Sequence, residues 1–194
     1  MSYGTFSSTL LFGDTRADIW EEAVLGSLQF RATDRWTLQA SAGAILSGGL
    51  VVMNIAHAMR PGWLYGVAAS YRILDGTGWT PYLIASGSLS VSGTTTEAEN
   101  AQIGFHSPLV SMDASLVVTV GKTFFRALSP YLVGRVFGGP VLWQRGSDTS
   151  LGGDLYHYQF GVGLAVSLFQ RLDAFVEGAP LGERRISAGA GIAF

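Results

Sequence analysis

The side chains that could do chemistry in this chain are few and scattered. Arg31, Arg72, Asp113, Arg135, His157, Glu177 and Arg185 each fall on the polar face of a segment whose apolar residues recur at every second position. Charges held on one enclosed face need partners. They can form a salt-bridged network that holds an interior together, or a charged constriction that selects ions by sign. Distances along the chain from neighbouring turns put Arg135 and Glu177 at similar depth, so these two are the expected pair. Asp113 falls nearer Arg185 and His157. A hydrolase would need a nucleophile and its base on one face, two residues apart or on adjacent strands. His106 and Ser107 are neighbours, and Asp154 and His157 are three apart, so both combinations are split between faces. His57, His106 and His157 are far apart, none forms a ligand pair with a carboxylate, and the chain has no cysteine. No metal site or cofactor is expected.

The elements that must position these residues are strands. Charged residues make up 13% of the chain, against about 25% in an average soluble domain. Hydrophobic residues make up 48%, and mean hydropathy is +0.31. Yet no apolar run approaches the roughly 20 residues of a membrane-crossing helix. A chain that is apolar on average but interrupted at short intervals suits a sheet with one face in lipid. The net charge of −2, without a basic run, argues against a nucleic-acid partner.

Alternation is strongest at 36–47, 63–73, 109–121 and 154–169, and weaker at 3–12, 23–32, 81–92, 130–138 and 172–180. With the last segment, 184–194, this predicts ten strands. Short connections are expected at 33–35, 75–79, 122–129, 170–171 and 181–183, and longer loops at 13–22, 48–62, 93–107 and 145–153. Thr80-Pro-Tyr-Leu-Ile-Ala and Ser129-Pro-Tyr-Leu-Val-Gly are near copies that each open a strand, a weak repeat of one up-and-down unit. Aromatic residues gather at the strand ends. Trp63, Tyr65, Tyr156 and Tyr158 lie on the loop side, and Trp36, Tyr71 and Phe194 on the turn side. Two such belts suit the two membrane–water interfaces. The polar faces are Ser, Gly, Ala and Gln rather than Lys and Glu. They read as a crowded enclosed interior, not as the wet face of a soluble sandwich or lipocalin-like barrel. The stretch 48–60 is unusually apolar for a loop. Its residues Leu50, Val51, Met53, Ile55 and Met59 are candidates for a plug, a rim contact or a protein-docking surface.

The final segment, Arg184-Arg-Ile-Ser-Ala-Gly-Ala-Gly-Ile-Ala-Phe194, places Ile186, Ala188, Ala190, Ile192 and Phe194 at alternate positions. This resembles the closing strand of a bacterial outer-membrane β-barrel, in which the terminal Phe is part of the assembly signal. The resemblance is to small barrels of the OmpA, OmpX and OmpW kinds, which have eight strands where this sequence reads as ten. It implies a single all-β, transmembrane, antiparallel up-and-down barrel spanning 1–194. It further implies localisation to the outer membrane, contact with its lipids, and recognition of Phe194 by the barrel-assembly machinery. The signal peptide would be absent from this form, with Met1 an added start. The expected function is a narrow passive channel for small polar solutes or ions, or a barrel plugged by its own side chains. A scaffold acting through its extracellular loops is the alternative, and an outer-membrane lipid hydrolase or protease is third.

Overall fold

A computed structural model describes residues 1–98, 106–145, 148–168 and 171–192. Among them are thirteen strands and no helix. In chain order they are β1 (Ser2–Phe12), β2 (Thr15–Arg31), β3 (Trp36–Val52), β4 (Ile55–Met59), β5 (Gly62–Asp75), β6 (Tyr82–Ala98), β7 (His106–Gly121), β8 (Leu128–Gly138), β9 (Val141–Arg145), β10 (Asp148–Asp154), β11 (Tyr158–Leu168), β12 (Leu172–Gly182) and β13 (Arg184–Ile192). All pairings are antiparallel, and β13 returns to pair with β1, closing the ring.

Three of the staves in this wall are each split in two. β4 and β5 both lie between β3 and β6. They are separated at Arg60-Pro61, where Pro61 has no N–H to donate to the ladder. β8 and β9 both pair with β7 and are separated by Gly139-Pro140. β10 and β11 form the third split stave, interrupted at residues 155–157. The wall therefore has ten staves, the number that the alternation predicts.

The ring does not keep ten strands along its whole height. The hairpin of β12 and β13 turns at Gly182-Glu183, with Gly182 in the left-handed region at φ 81°. Beyond that apex β10 crosses over and pairs directly with β1, Asp154 opposite Leu10 and Gly153 opposite Leu11. The Leu155 N–H completes the seam by donating to the Thr9 carbonyl at 2.8 Å. Ten strands encircle the end that carries the turns 32–35, 76–81 and 122–127. Eight (β1, β2, β3, β4, β6, β7, β9 and β10) encircle the other.

Bore follows strand number, and an eight-stranded ring is just wide enough for side chains to fill. The narrow end is filled in that way. Leu10, Phe12, Ala17, Ile19, Leu50, Val52, Met59, Leu109, Val141 and Trp143 form one buried apolar cluster inside the wall. Trp143 is 1% exposed and Leu50 0%. The buried Trp143 indole N–H donates to Thr96 Oγ1 at 3.0 Å, and the Thr96 hydroxyl donates to the Ser107 carbonyl at 3.1 Å. A buried indole is tolerated when its N–H is satisfied in this way.

The outer face carries the apolar residues of each alternating segment, including Leu28, Leu116, Phe160 and Ile186, all well exposed. Trp36 and Tyr71 meet at 5.0 Å near the turn end, and Trp63 and Tyr65 at 5.6 Å nearer the narrow end. Six of the glycines pair with aromatic rings. Trp20, Trp63, Tyr82, Tyr131, Phe160 and Phe175 stand directly opposite Gly49, Gly93, Gly121, Gly163, Gly134 and Gly189 on neighbouring strands, each ring lying over its glycine. Tyr82 and Tyr131 are the tyrosines of the two Pro-Tyr-Leu repeats, so the repeat encodes a ring-over-glycine contact.

The segments expected as long loops are largely strand. The connection after β1 is only residues 13–14, and the one after β3 only 53–54. β6 runs to Ala98, β7 begins at His106 and β10 at Asp148. The stretch 48–60 is the tip of a hairpin. The register shift between Glu22 and Ala23 leaves Leu46 as an extra residue in β3. This bulge resets the alternation, so that Leu50 and Val52 face inward. Met53 and Asn54 take the paired left-handed conformations of a two-residue hairpin turn, φ 49° and 63°.

Leu116 lies mid-stave on the outer face, 65% exposed. Its replacement, Leu116→Arg, is expected to lower the unfolding free energy in lipid vesicles by about 2–4 kcal/mol, read by urea titration of tryptophan fluorescence. A wall facing water would tolerate the change within about 0.5 kcal/mol.

Candidate functional site

Beneath the apolar plug, where the ring widens to ten strands, lies a cavity of about 550 Å³. Leu10, Ile19, Leu109 and Val141 close it from above. Its walls are rich in serine because inward positions of β5, β6 and β7 are small and polar. Ser86 donates to Ser70 at 2.8 Å, and Ser88 and Ser115 lie 2.6 Å apart. Towards the turn end the inward-facing Gln29, bonded to Gln39 at 3.0 Å, is exposed, so water reaches the cavity from that side.

A charged cluster lies directly under the plug. Arg135, projecting inward from β8, donates through Nη2 to Asp113 Oδ2 on β7 at 2.6 Å. Its Nη1 lies 3.5 Å from Glu183 Oε1 at the apex of the β12–β13 hairpin. The guanidinium also stacks 4.6 Å from the centroid of the buried Phe137 ring. Gln159 Nε2 donates to the Glu183 carbonyl at 3.1 Å, fixing the apex from the adjoining strand. Asp154 accepts from Ser8 Oγ at 3.4 Å across the β1–β10 seam. Glu21 lines the cavity and is 7% exposed. Asp113 Oδ1 and Ser187 Oγ are buried without a hydrogen-bond partner.

The structure distributes the residues singled out from sequence as follows. Arg135 and Asp113 come together, with Glu183 as their third member. Glu177 does not pair with Arg135; the register sets it level with Gly163 and Tyr131, two inward positions away from Arg135, and it accepts from Tyr131 at 3.0 Å instead. Arg185 lines the same cavity from β13. Arg31 lies at the turn-end rim, exposed and paired with Asp34 at 3.2 Å. Arg72 is exposed there too, and its backbone N–H donates to the Arg35 carbonyl. His157 is exposed, with Nδ1 3.2 Å from the Phe137 carbonyl, so it takes no hydrogen-bonded place beside Asp113. In the hairpin at 48–60, Leu50 and Met59 are plug residues, while Val51, Met53 and Ile55 are exposed. Phe194 lies outside the described residues.

Sequence reasoning did not count Glu21, Asp154 or Glu183 among the lumen charges, weighing Asp154 only beside His157. Glu21 and Glu183 fall in segments read as a loop and a turn, and Asp154 lies at the edge of another expected loop. The available signal was alternation continuing through Ala17, Ile19, Glu21, Ala23 and Leu25, which puts Glu21 on the inward face of β2. His106 pairs outside the wall with Glu97 at 2.6 Å, whereas Ser107 is buried. Among the described residues, no three His, Asp or Glu side chains converge as metal ligands.

No family model and no curated protein matches the chain. Among solved structures, it is similar to the translocator domain of the autotransporter NalP from Neisseria meningitidis. That match has a TM-score of 0.55 and 12% identity, and covers 100% of this chain and 86% of that one. The fold is that of an outer-membrane β-barrel. Weaker likenesses are to the transport unit of the autotransporter AIDA-I from Escherichia coli (TM-score 0.49, 14% identity, 100% and 88% covered) and to the KdgM porin (TM-score 0.37, 12% identity, 100% and 99% covered).

The barrel's central guanidinium is shared by two carboxylates that are themselves largely enclosed. Removing it by Arg135→Met leaves both without their cation, a loss expected to cost about 3–5 kcal/mol. The triple change R135M/D113N/E183Q is expected to recover most of that loss, since it removes the carboxylates' charges as well. Urea unfolding of the two variants beside the wild type checks both expectations.

Proposed function

We propose that this chain is a side-chain-plugged barrel of the bacterial outer membrane. In this reading the eight-stranded end is shut to solutes, and the ten-stranded end holds a water-filled, serine-lined cavity. The observation that carries the reading is the buried apolar cluster around Trp143 and Leu50. Passage of a polar solute needs a continuous wet path or a constriction lined by polar groups, and a packed apolar layer offers neither. The lumen charges then act chiefly as structure. Arg135 holds the hairpin apex to β7, and selectivity is secondary. A non-enzymatic role fits the placement of His106 outside the wall and Ser107 within it. Insertion would proceed through the barrel-assembly machinery acting on the C-terminal strand, with lipid around the apolar wall.

A second reading, contact with a protein partner at the narrow end, draws on the β3–β4 hairpin. Its tip exposes Val51, Met53 and Ile55, apolar residues where a hairpin turn is ordinarily polar.

The plug is tested by conductance. Wild-type protein in a planar bilayer is expected to be electrically silent. The double variant Leu50→Ala/Trp143→Ala, checked for folding by heat-modifiable gel migration, is expected to conduct in reproducible steps. Stable conductance by the wild type would overturn the plugged reading and restore the open channel.

A further inference from the structure

The upper cavity beneath the plug is lined by more carboxyl groups than guanidinium groups. Glu21, Asp113, Asp154 and Glu183 face the upper cavity, and the guanidinium groups there are Arg135 and Arg185. Arg135 is engaged by Asp113 and Glu183. Arg185 lies within electrostatic reach of Glu183. Arg135 is the guanidinium that acts on Asp154. Glu21 has no such neighbour. Among the described residues it makes no hydrogen bond or ion pair, and the charge it feels is that of another carboxylate, Glu183. It is nevertheless 7% exposed. A carboxylate largely withdrawn from water and without a cationic partner is costly, and a positive charge brought to it offsets that cost.

Two further groups in the same cavity lack partners. Ser187 is 3% exposed, and its Oγ makes no hydrogen bond. Asp113 has one oxygen on Arg135 and the other, Oδ1, buried and unbonded. Unpartnered oxygens on residues lining one cavity favour a donor-rich occupant. The carboxylates do not converge closely enough to hold a bare metal ion, so the positive charge must come on a larger frame. A cavity of about 550 Å³ accommodates one. An ammonium group brings three donors and no acceptor, which suits an oxygen-lined, anionic pocket.

We propose that the cavity binds a small aliphatic ammonium compound, entering from the ten-stranded end, with the ammonium group at Glu21 and Ser187 as a further contact. The site belongs to the cavity of the barrel proposed above but does not require the plug to be shut.

The experiment uses the full chain refolded in detergent and titrated calorimetrically. The probes are 1,4-diaminobutane, the uncharged isostere 1,4-butanediol, and succinate. Saturable binding of the diamine alone is expected, weakened about tenfold or more in Glu21→Gln, as loss of a charge-assisted contact implies. Ser187→Ala is expected to weaken it less, and keeps the test open should Glu21→Gln fail to fold. Asp18→Asn, on the outer face of β2, is expected to leave binding unchanged. Absence of saturable diamine binding, equal binding of the diol, or undiminished binding by Glu21→Gln and Ser187→Ala would each overturn the proposal. A conducting wild type that still binds the diamine would overturn the plug alone. A silent wild type that does not bind it would overturn the ammonium site alone.

Discussion

A closed sheet has no free edge, and the number of strands around it sets its bore. Here that number changes along the axis. Above Glu183 eight strands leave room for side chains only, and Leu50, Met59, Phe12 and Trp143 occupy it. Below Glu183 ten strands leave about 550 Å³ unfilled. The contrast between a dry end and a wet end therefore does not depend on a separate plug domain. One hairpin, β12–β13, stops short of the rim, and the wall above it closes around a narrower space.

The charged residues gather where that step occurs. An interrupted wall exposes backbone and needs fixing from inside. Gln159 holds the Glu183 carbonyl and Arg135 holds its carboxylate. Ser8 and Asp154 bridge the seam where β10 takes over from β13. A buried ion pair is weak evidence of stability in itself. Its value here is positional, because the pair joins the hairpin apex to β7 on the far side of β8 and β11. The Tyr131–Glu177 contact plays the corresponding part lower down, and the tyrosine ring also covers Gly163.

The lipid-facing half of the structure was legible in the sequence. The residues read as apolar faces in 36–47, 63–73, 109–121 and 184–192 face outward, because a two-residue period maps directly onto the two faces of a strand. Ten staves followed from counting them. What alternation could not show was where strands continue after a bulge or a proline. Leu46 resets the pattern in β3, so Leu50 and Val52 turn inward and the segment loses its simple period. The interior at that height is also apolar, which leaves Val51 and Leu50 alike in character though they lie on opposite faces. Such a stretch looks like a hydrophobic loop. The same blindness hid Glu21 and Glu183, and it left Glu177, which lies two inward positions below Arg135, as its expected partner.

The step in strand number also bears on how the ring shuts. One edge of β1 is shared between two distant parts of the chain: Ser2–Ser7 zip to β13, and Leu10–Leu11 to β10. The first strand thus waits for the last described one, and for an earlier one besides, before its edge is covered. Closure of this kind joins residues separated by nearly the whole sequence, the slowest class of contact to form. Until it is made, β1 presents an unpaired edge with donors and acceptors ready for any passing strand. The seam that gives the barrel its two bores is thus also the point at which its folding is most open to capture by another chain.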